Sequence, residues 1–508
     1  MAKSRTSSRN PRILMVTPEI TYLPAGMGNM ANMLNAKAGG LADVSASLVS
    51  ALFELGADVH VALPHYRRMF HVDVGRFIND ELRVYKRVLP EDRIHLAQDR
   101  IFYYRDEVYS NHERDARRLA LAFQREVINN IIPRVNPDLI HCNDWMTGLV
   151  PAMARRLGIP SLFTIHNIHS QNLTLAEIED SGIDAAEFWS ELYFKNPPFN
   201  YESTRNANQV DMLVSGIFSS HFVNTVSPEF LNEICQGRHE FVDESTRTEL
   251  VQKFTAQCAS GILNAPDPSY NPRTDELIEC KYNAEDHVAG KRANKMVFQE
   301  RLGLTVDADV PLLFWPSRLD PVQKGCQLVA DILYAIVSDY WDKGLQVAVV
   351  ANGPFQNVFR NIVRHHEFYD RVAIVEFDEG LSRLGYAASD FMLMPSRFEP
   401  CGLPQMVSAI YGNIPIVHDT GGLHDTIEHI DTEAGTGNGI VFEHYDPGGL
   451  RWGIDQAIEF YARPAEERNA TITRIMNESI ERFTHSVTAA EYIKVYEKML
   501  HRPLVKTH

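Results

Sequence analysis

The chain has few cysteines, no long apolar run and no excess of basic residues. No apolar run approaches the roughly 20 residues that a membrane-spanning helix requires. The six cysteines among 508 residues include no CxxC pair, so their spacing indicates neither a zinc site nor a disulfide framework. The basic segment 1–12 has no apolar signal core behind it and is predicted to be a short disordered lead-in. These absences predict a cytoplasmic protein with no membrane partner.

The balance of charge is acidic. The formal net charge is −17, from 49 Lys+Arg against 66 Asp+Glu. This charge argues against broad nucleic-acid binding, although a local pocket of Lys and Arg can still hold an anionic ligand. With 508 residues, 44% of them apolar, the chain is long enough for two domains or more.

Short apolar runs alternate with helical patterns along the chain. Strands that alternate with helices predict parallel sheets, and two such series predict an α/β protein with two doubly wound, Rossmann-like halves. A segment rich in Pro, Asn and Asp, Asn264 to Asp275, predicts the hinge, so we assign residues 1–265 to the first half. The predicted strands are Ile13–Val16, Val59–Leu63, Leu139–His141, Ser161–Ile165, Phe222–Val226, Leu312–Trp315, Val347–Val350, Ala373–Val375, Phe391–Met394 and Ile414–Val417.

The segment PSRFEPCGLPQ, from Pro395 to Gln405, connects a predicted strand to a predicted helix. Ligands of open α/β sheets bind at this edge. The carboxylate of Glu399 and the small-residue turn Cys401-Gly402-Leu403 therefore fall where backbone N–H groups at a helix N-terminus favour anionic or hydroxyl-rich ligands. The alternative interpretation is a tight surface turn.

Two similar glycine pairs, Gly39-Gly40 and Gly421-Gly422, each open a predicted helix. A glycine pair lets the backbone approach a ligand closely at the positive end of a helix. A plain tight turn explains each pair at least as well when it is taken alone.

Basic and polar side chains also follow predicted strands. Arg318 and Lys324 share one loop, and a bidentate guanidinium beside a point-charge ammonium suits a diphosphate. The sequence has no DxD pair flanked by apolar strand residues, the pattern that would indicate a metal site. We therefore expect no metal ion, and we expect no other cofactor. The alternative is a solvated surface loop. In the first half, Lys37, Asp144 and His166 fall at strand ends or just beyond them. Their convergence favours a functional site over the alternative that His166 has only a structural role.

Taken in order, these segments resemble bacterial glycogen synthases and plant starch synthases, the retaining glucosyltransferases of glycosyltransferase family 5. The resemblance covers about residues 12–500. The matching segments are KAGGLADV from Lys37, HCNDWMTGL from His141, FTIHNI from Phe163, NTVSPEF from Asn224, GILNAPD from Gly261, NPRTD from Asn271, NKMVFQERLGL from Asn294, SRLDPVQKG from Ser317, PSRFEPCGLPQ from Pro395 and DTGGLHDTI from Asp419.

The resemblance implies a GT-B fold with the nucleotide sugar in the cleft between two domains. The second domain would span 266–483, and a C-terminal helix within 484–508 would cross back to the first domain. By resemblance, the catalytic residues are Glu399, His166, Arg318 and Lys324. The implied donor and phosphate contacts are Lys37, Gly39, Gly40, Thr420, Gly421, Gly422 and Phe377, and the implied sugar contacts are Asp43, Asp144, Asn264, Cys401, Gly402 and Leu403.

The activity that the resemblance implies is transfer of glucose from ADP-glucose to the non-reducing 4-hydroxyl of an α-1,4-glucan such as glycogen, with retention of configuration. UDP-glucose is the alternative donor. The sequence is also compatible with two other functions, that of a transferase that makes a small glucoside and that of a catalytically weak glucan-binding relative.

Several positions depart from the family pattern. Residues 24–35, PAGMGNMANMLN, form an extra methionine-rich segment before Lys37, which is interpreted either as a lid or as a tolerated surface insertion. Met146 stands where the family has a sugar-pocket histidine, and the usual NGID is Asn264-Ala-Pro-Asp267. These changes spare the main charged residues and bear on donor preference and acceptor fit.

Overall fold

Two parallel β-sheets organise the described residues, which are 9–28, 30–71 and 93–505 of this computed structural model. The first sheet has seven strands in the order 3-2-1-4-5-8-9, and strands 6 and 7 form a separate antiparallel pair. The strands are β1 (Arg12–Val16), β2 (Asp58–Pro64), β3 (Ile94–Ala97), β4 (Leu139–Asn143), β5 (Ser161–Ile165), β6 (Asn172–Thr174), β7 (Gln209–Asp211), β8 (Phe222–Thr225) and β9 (Ala259–Gly261).

Helices connect these strands, as parallel pairing requires. They are α1 (Gly40–Glu54), α2 (Arg100–Tyr103), α3 (Glu113–Glu126), α4 (Ile132–Val135), α5 (Val150–Arg156), α6 (Leu175–Asp180), α7 (Tyr201–Arg205), α8 (Met212–Ser219), α9 (Pro228–Cys235) and α10 (Glu244–Thr255). A π-helical turn continues α3 at Val127–Ile131, and short 3₁₀ turns lie at Ala31–Met33, Trp145–Thr147, Ala185–Glu187 and Trp189–Glu191.

The second sheet has six strands in the order 12-11-10-13-14-15. They are β10 (Leu312–Trp315), β11 (Gln346–Val350), β12 (Val372–Val375), β13 (Phe391–Met394), β14 (Ile414–His418) and β15 (Ile440–Phe442). The helices of this part are α11 (His287–Leu302), α12 (Cys326–Asp339), α13 (Gln356–His366), α14 (Glu379–Ala388), α15 (Pro404–Ile410), α16 (Gly421–Thr426), α17 (Pro447–Tyr461) and α18 (Ala465–Arg482), with a 3₁₀ turn at Trp341–Lys343. The last helix is α19 (His485–Leu500).

The predicted fold class is confirmed, because neighbouring strands in both sheets pair in parallel. Central strands such as β5 and β13 are buried at every position, as expected for sheets covered on both faces. Every predicted strand is present. The strands that sequence patterns did not predict are β3, β6, β7, β9 and β15, which are three or four residues long and lie at sheet edges or in the antiparallel pair.

The chain divides into two compact units. The first comprises Met1–Val226, Leu231–Ile262 and His485–His508, and the second comprises Ser227–Phe230 and Leu263–Thr484. Asn264 therefore belongs to the second unit. Residues 1–8 of the predicted disordered lead-in lie outside the described residues. No helix in the described ranges is long and apolar enough to cross a membrane.

Helix α19 belongs to the first unit and carries two buried tyrosines. The hydroxyl of Tyr496 lies 2.7 Å from Nδ1 of His141 in β4. The hydroxyl of Tyr492 accepts a hydrogen bond of 2.9 Å from the side chain of Asn224 in β8. These contacts anchor the helix to two central strands of the first sheet.

The extra segment 24–35 packs within the first unit. Met27, Ala31 and Leu34 are buried, and the carbonyl of Met27 accepts a hydrogen bond from the backbone of Arg93 at 2.8 Å. Gly26 has a φ of +103° and lies against the ring of Phe53 in α1. The described part of this segment therefore contributes to the apolar packing around α1; Asn29 lies outside the described residues.

Strand order reverses once in each sheet. In the first sheet, β1 lies between β2 and β4, and in the second, β10 lies between β11 and β13. Such topological switch points are where open α/β sheets bind ligands, beyond the carboxyl ends of the strands. Glu19 and Asp144 follow β1 and β4, while Arg318 and Glu399 follow β10 and β13.

Candidate active site

A buried ion pair lies at the switch point of the second sheet. The ammonium of Lys324, after β10, is 2.5 Å from a carboxylate oxygen of Glu399, after β13. The hydroxyl of Ser396 donates to the same oxygen at 3.1 Å. Both charged residues are at most 9% exposed. A charge pair held in such a low-dielectric setting interacts strongly with a bound ligand.

Glycines bring the loops around this ion pair into contact. Gly325 has a φ of +71°, and a Cβ there would lie 2.0 Å from the carbonyl oxygen of Pro395. A Cβ at Gly422 would lie 2.0 Å from the carbonyl oxygen of Cys401. The N–H of Gly422 donates to the carbonyl of Glu399 at 2.9 Å. Only glycine allows these approaches, which position the Glu399 loop against the Lys324 loop and the start of α16.

The turn after Glu399 presents backbone donors. Within the described residues, the N–H groups of Cys401, Gly402 and Leu403 have no hydrogen-bond partner. Thr420 is the N-cap of α16, and Gly421 has a φ of +46°. The structure thus places two helix N-termini, those of α15 and α16, beside the ion pair.

Three other predicted residues of the second unit make no hydrogen bond or ion pair with Lys324 or Glu399 within the described residues. The side chain of Arg318 is exposed and has no partner within the described residues. Phe377 is 48% exposed on the loop after β12, where its N–H donates to the side chain of Asn352 at 3.0 Å. Asn264 is buried, and its backbone hydrogen bond opposes the burial that raises the pKa of Cys401 to about 12.

In the first unit, Asp144 organises the ends of β4 and β5. Its backbone has a φ of +58°, a strained conformation for a residue with a side chain. One carboxylate oxygen accepts from the backbone N–H of His166 at 2.7 Å, and the other accepts from the side chain of Asn167 at 2.9 Å. Nε2 of His166 lies 3.0 Å from the side-chain oxygen of Asn143. Asp144 thereby fixes the position of His166.

Burial shifts the pKa of both groups. It raises the pKa of Asp144 from 3.8 to about 7, against the effect of two backbone hydrogen bonds. It lowers the pKa of His166 from 6.5 to about 3. His166 is therefore a neutral imidazole at neutral pH and acts as a hydrogen-bonding group rather than as a cation.

Sequence reasoning missed Glu19, which organises the loop before α1. Its carboxylate accepts hydrogen bonds from the N–H groups of Ala38 at 2.6 Å and Gly39 at 2.9 Å, and from the Tyr109 hydroxyl at 2.9 Å. Burial raises the pKa of Glu19. Its place three residues beyond the first predicted strand was the available signal.

The predicted phosphate contacts of the first unit are engaged internally. Glu19 takes the N–H of Gly39, and the ammonium of Lys37 pairs with the Asp43 carboxylate at 2.8 Å. Gly40 begins α1. The structure therefore brings Lys37, Gly39, Gly40 and Asp43 together around one helix N-terminus.

A cavity of about 430 Å³ opens in the first unit, lined in part by Asp144 and by Tyr109, whose hydroxyl donates to Glu19. Its volume lies within the roughly 300–1,000 Å³ of small-ligand sites. Aromatic, amide and carboxylate groups line it together, a mixture suited to sugars. Its lining includes Tyr109, Asp144, Trp145, Met146, Asn167 and His169.

The pKa of Asp144 predicts a pH-dependent stability. The pKa of Asp144 is raised from 3.8 to about 7 in the folded state. Between these two pH values the folded protein keeps a proton on Asp144 that the unfolded chain has lost. The stabilisation is full below pH 3.8 and is lost as the pH rises through about 7. We expect the melting temperature of the wild type to fall relative to Asp144→Asn across this window. Calorimetry at stepped pH measures the difference, and a constant difference would contradict the assignment.

Comparison with known proteins connects these features to a family. Residues 12–246 match the family described as "Starch synthase catalytic domain", and residues 310–459 match "Glycosyl transferases group 1". The glycogen synthase of Bacillus licheniformis is 33% identical over 91% of this chain and 95% of its own length. That of Bacillus subtilis is 31% identical with the same coverage.

Solved structures agree with these matches. The catalytic domain of starch synthase IV from Arabidopsis thaliana, bound to ADP and acarbose, has a TM-score of 0.76 and 25% identity over 97% of this chain and 100% of that one. Sucrose-phosphate synthase from Thermosynechococcus elongatus, 16% identical with a TM-score of 0.56, shares the fold.

The two matching family models and the starch synthase structure show that this fold of two parallel sheets is that of a GT-B glycosyltransferase. Among these enzymes, the chain belongs to the glycogen synthase and starch synthase family, and it is a retaining glucosyltransferase.

Proposed function

We propose that this protein transfers glucose from ADP-glucose to the non-reducing 4-hydroxyl of an α-1,4-glucan such as glycogen. The observation that carries the proposal is the buried Lys324–Glu399 pair at the switch point of the second sheet, with free backbone donors beside it. Together they match a ligand that combines a diphosphate with a hydroxyl-rich sugar.

In this proposal the second unit binds the donor. Arg318 and Lys324 bind the diphosphate, and Glu399 accepts hydrogen bonds from glucose hydroxyls while the turn from Cys401 to Leu403 donates to them. Negative charge grows on the diphosphate as the glycosidic C–O bond breaks. Fixed cations therefore lower the barrier, because they stabilise the transition state more than the bound substrate. Thr420, Gly421 and Gly422 offer the N-terminus of α16 to phosphate, and Phe377 offers an exposed ring to the nucleobase.

The first unit supplies the groups for the acceptor and for the reacting sugar. The cavity beside Asp144 has the size and lining for glucose units of a glucan, with Trp145 and Tyr109 as apolar surfaces and Asn167 as a polar contact. Neutral His166 is suited to hydrogen-bond a sugar hydroxyl. Lys37 adds a cation near the start of α1.

The proposed step retains configuration. The acceptor 4-hydroxyl attacks the anomeric carbon on the face from which the diphosphate departs, and its proton passes to the departing diphosphate oxygen. One C–O bond forms as the other breaks, so no separate base is required. The cations of the chain itself stabilise the leaving group in this scheme, and we propose that neither metal nor cofactor takes part.

The test is nucleotide release from ADP-glucose and UDP-glucose in parallel, with glycogen, with glucose and without acceptor, each with and without a chelator. We expect glycogen-dependent release of ADP that the chelator leaves unchanged. Release of UDP alone would reassign the donor, and release only with glucose would favour a transferase making a small glucoside. No release with either donor would overturn the proposal in favour of a catalytically weak glucan-binding relative.

The six unpaired cysteines support a cytoplasmic location for this activity.

A further inference from the structure

Gln405 is a fully buried side chain in the first turn of α15, behind the turn that follows Glu399. Its amide nitrogen has two hydrogens to share among three acceptors, the carbonyl of Cys401 at 3.1 Å, the carbonyl of Gly402 at 3.0 Å and the hydroxyl of Thr426 at 3.1 Å. The hydroxyl of Thr426 donates in turn to the carbonyl of Gly422 at 2.6 Å. One amide thus joins the Cys401–Leu403 turn to α16.

The chemistry of these neighbours determines the orientation of the amide. Of the two ends of the amide only the NH₂ group can donate to the two carbonyl oxygens, so the NH₂ group of Gln405 faces them. Its side-chain oxygen has no partner within the described residues. A Cβ on Gly402, which has a φ of +72°, would lie 2.6 Å from that oxygen. The turn therefore rests directly on the amide, and glycine is required for that approach.

Fixing the two carbonyls also fixes two N–H groups. A trans peptide is planar, with the C=O of one residue antiparallel to the N–H of the next. The Gln405 amide holds the carbonyls of Cys401 and Gly402 on the inner side of the turn. The N–H groups of Gly402 and Leu403 therefore point away from it, and they have no partner within the described residues.

We propose that Gln405 is a positioning residue that orients the N–H groups of Gly402 and Leu403 toward the sugar of the donor. The inference rests on the proposed function, since it assigns these groups to the glucosyl donor. Without the amide, the two peptides can rotate and the donors lose their preorganised direction. The loss falls on the chemical step, because the glucosyl group is then held less accurately for attack at its anomeric carbon.

The first test is the turnover of Gln405→Met, which keeps the length and volume of the side chain and removes both donors. We expect kcat to fall about tenfold, as for a modest misplacement of reacting groups, with the KM for the glucan unchanged. The matched control is Gln346→Met. Gln346 is equally buried in the second unit, and its amide nitrogen donates to the carbonyl of Thr305, away from the switch point.

The second variant, Gln405→Glu, separates positioning from packing. A protonated carboxyl donates one hydrogen bond to the turn, whereas an ionised one faces two carbonyl oxygens and repels them. We expect the kcat of Gln405→Glu relative to the wild type to rise as the pH falls, while that of Gln405→Met stays low throughout. Gln405→Glu at acidic pH also provides the test if Gln405→Met does not fold.

Wild-type kcat in Gln405→Met, an equal loss in Gln346→Met, or a flat relative profile for Gln405→Glu would overturn the positioning role. In each of these cases wild-type transfer from ADP-glucose would leave the proposed function standing. Absence of glucose transfer by the wild type would overturn both.

Discussion

We expect turnover with ADP-glucose and glycogen to fall by roughly a hundredfold or more in Lys324→Ala and in Glu399→Ala, the effect of losing a preorganised transition-state contact. The two side chains form one buried pair at 2.5 Å, so each variant removes one of the proposed ligand contacts and also leaves the other charge unpaired. An uncompensated buried charge costs about 3–5 kcal/mol of stability. Turnover is therefore expressed per folded molecule, with the folded fraction taken from thermal unfolding followed by circular dichroism.

A second buried ion pair of the same unit provides the matched control. The ammonium of Lys295 is 2.7 Å from the Asp390 carboxylate, and Lys295 is 2% exposed. Lys295→Ala is expected to lose stability to a similar degree and to keep its turnover per folded molecule. Near-normal turnover in both Lys324→Ala and Glu399→Ala would show that the pair is structural and would remove the basis of the site.

We expect Arg318→Ala to lose about a hundredfold in turnover and to keep the melting temperature of the wild type. The expected loss is that of one fixed cation on the leaving diphosphate. Stability is unaffected because the guanidinium is exposed and has no partner within the described residues. Steady-state kinetics with both donors and calorimetry on the same samples measure the two effects.

Arg364, an exposed arginine in the last turn of α13, is the control for Arg318. Arg364→Ala is expected to match the wild type in turnover. Equal turnover in the two variants would exclude Arg318 from the site. A fall in the melting temperature of Arg318→Ala would instead indicate a structural role for its side chain.

Local sequence predicts the sheets and the loops that bear charge. Apolar runs such as Ser161–Ile165 and Phe391–Met394 occur as strands with the predicted bounds, because a parallel strand covered on both faces must be apolar throughout. Charged and glycine-rich segments follow these strands for the complementary reason, since polar groups are excluded from the sheet interior. The short edge strands β9 and β15 escaped prediction because their three residues carry too little pattern.

Side-chain partners were not predictable in the same way. Nothing local to Lys324 indicates that its ammonium pairs with Glu399, which is distant in sequence. A single carboxylate after a strand, such as Glu19, is a weak sequence signal for a functional site. Its role becomes evident only from the hydrogen bonds that Ala38, Gly39 and Tyr109 donate to it. In the sequence Gln405 is only the final residue of the segment PSRFEPCGLPQ, whereas in the structure its amide supports the turn of that segment.

Strand periodicity and motif order are properties of neighbouring residues, so the two-sheet architecture, the family and the loops that carry the candidate chemistry can be recognised from residue order alone. Which of those groups meet, and in what protonation state, depends on the folded chain. The Lys324–Glu399 pair depends on the adjacency of β10 and β13, and the pKa values of Asp144 and His166 depend on burial by segments remote in sequence. Electrostatic interaction and desolvation act through space, so they are defined only after the chain has folded.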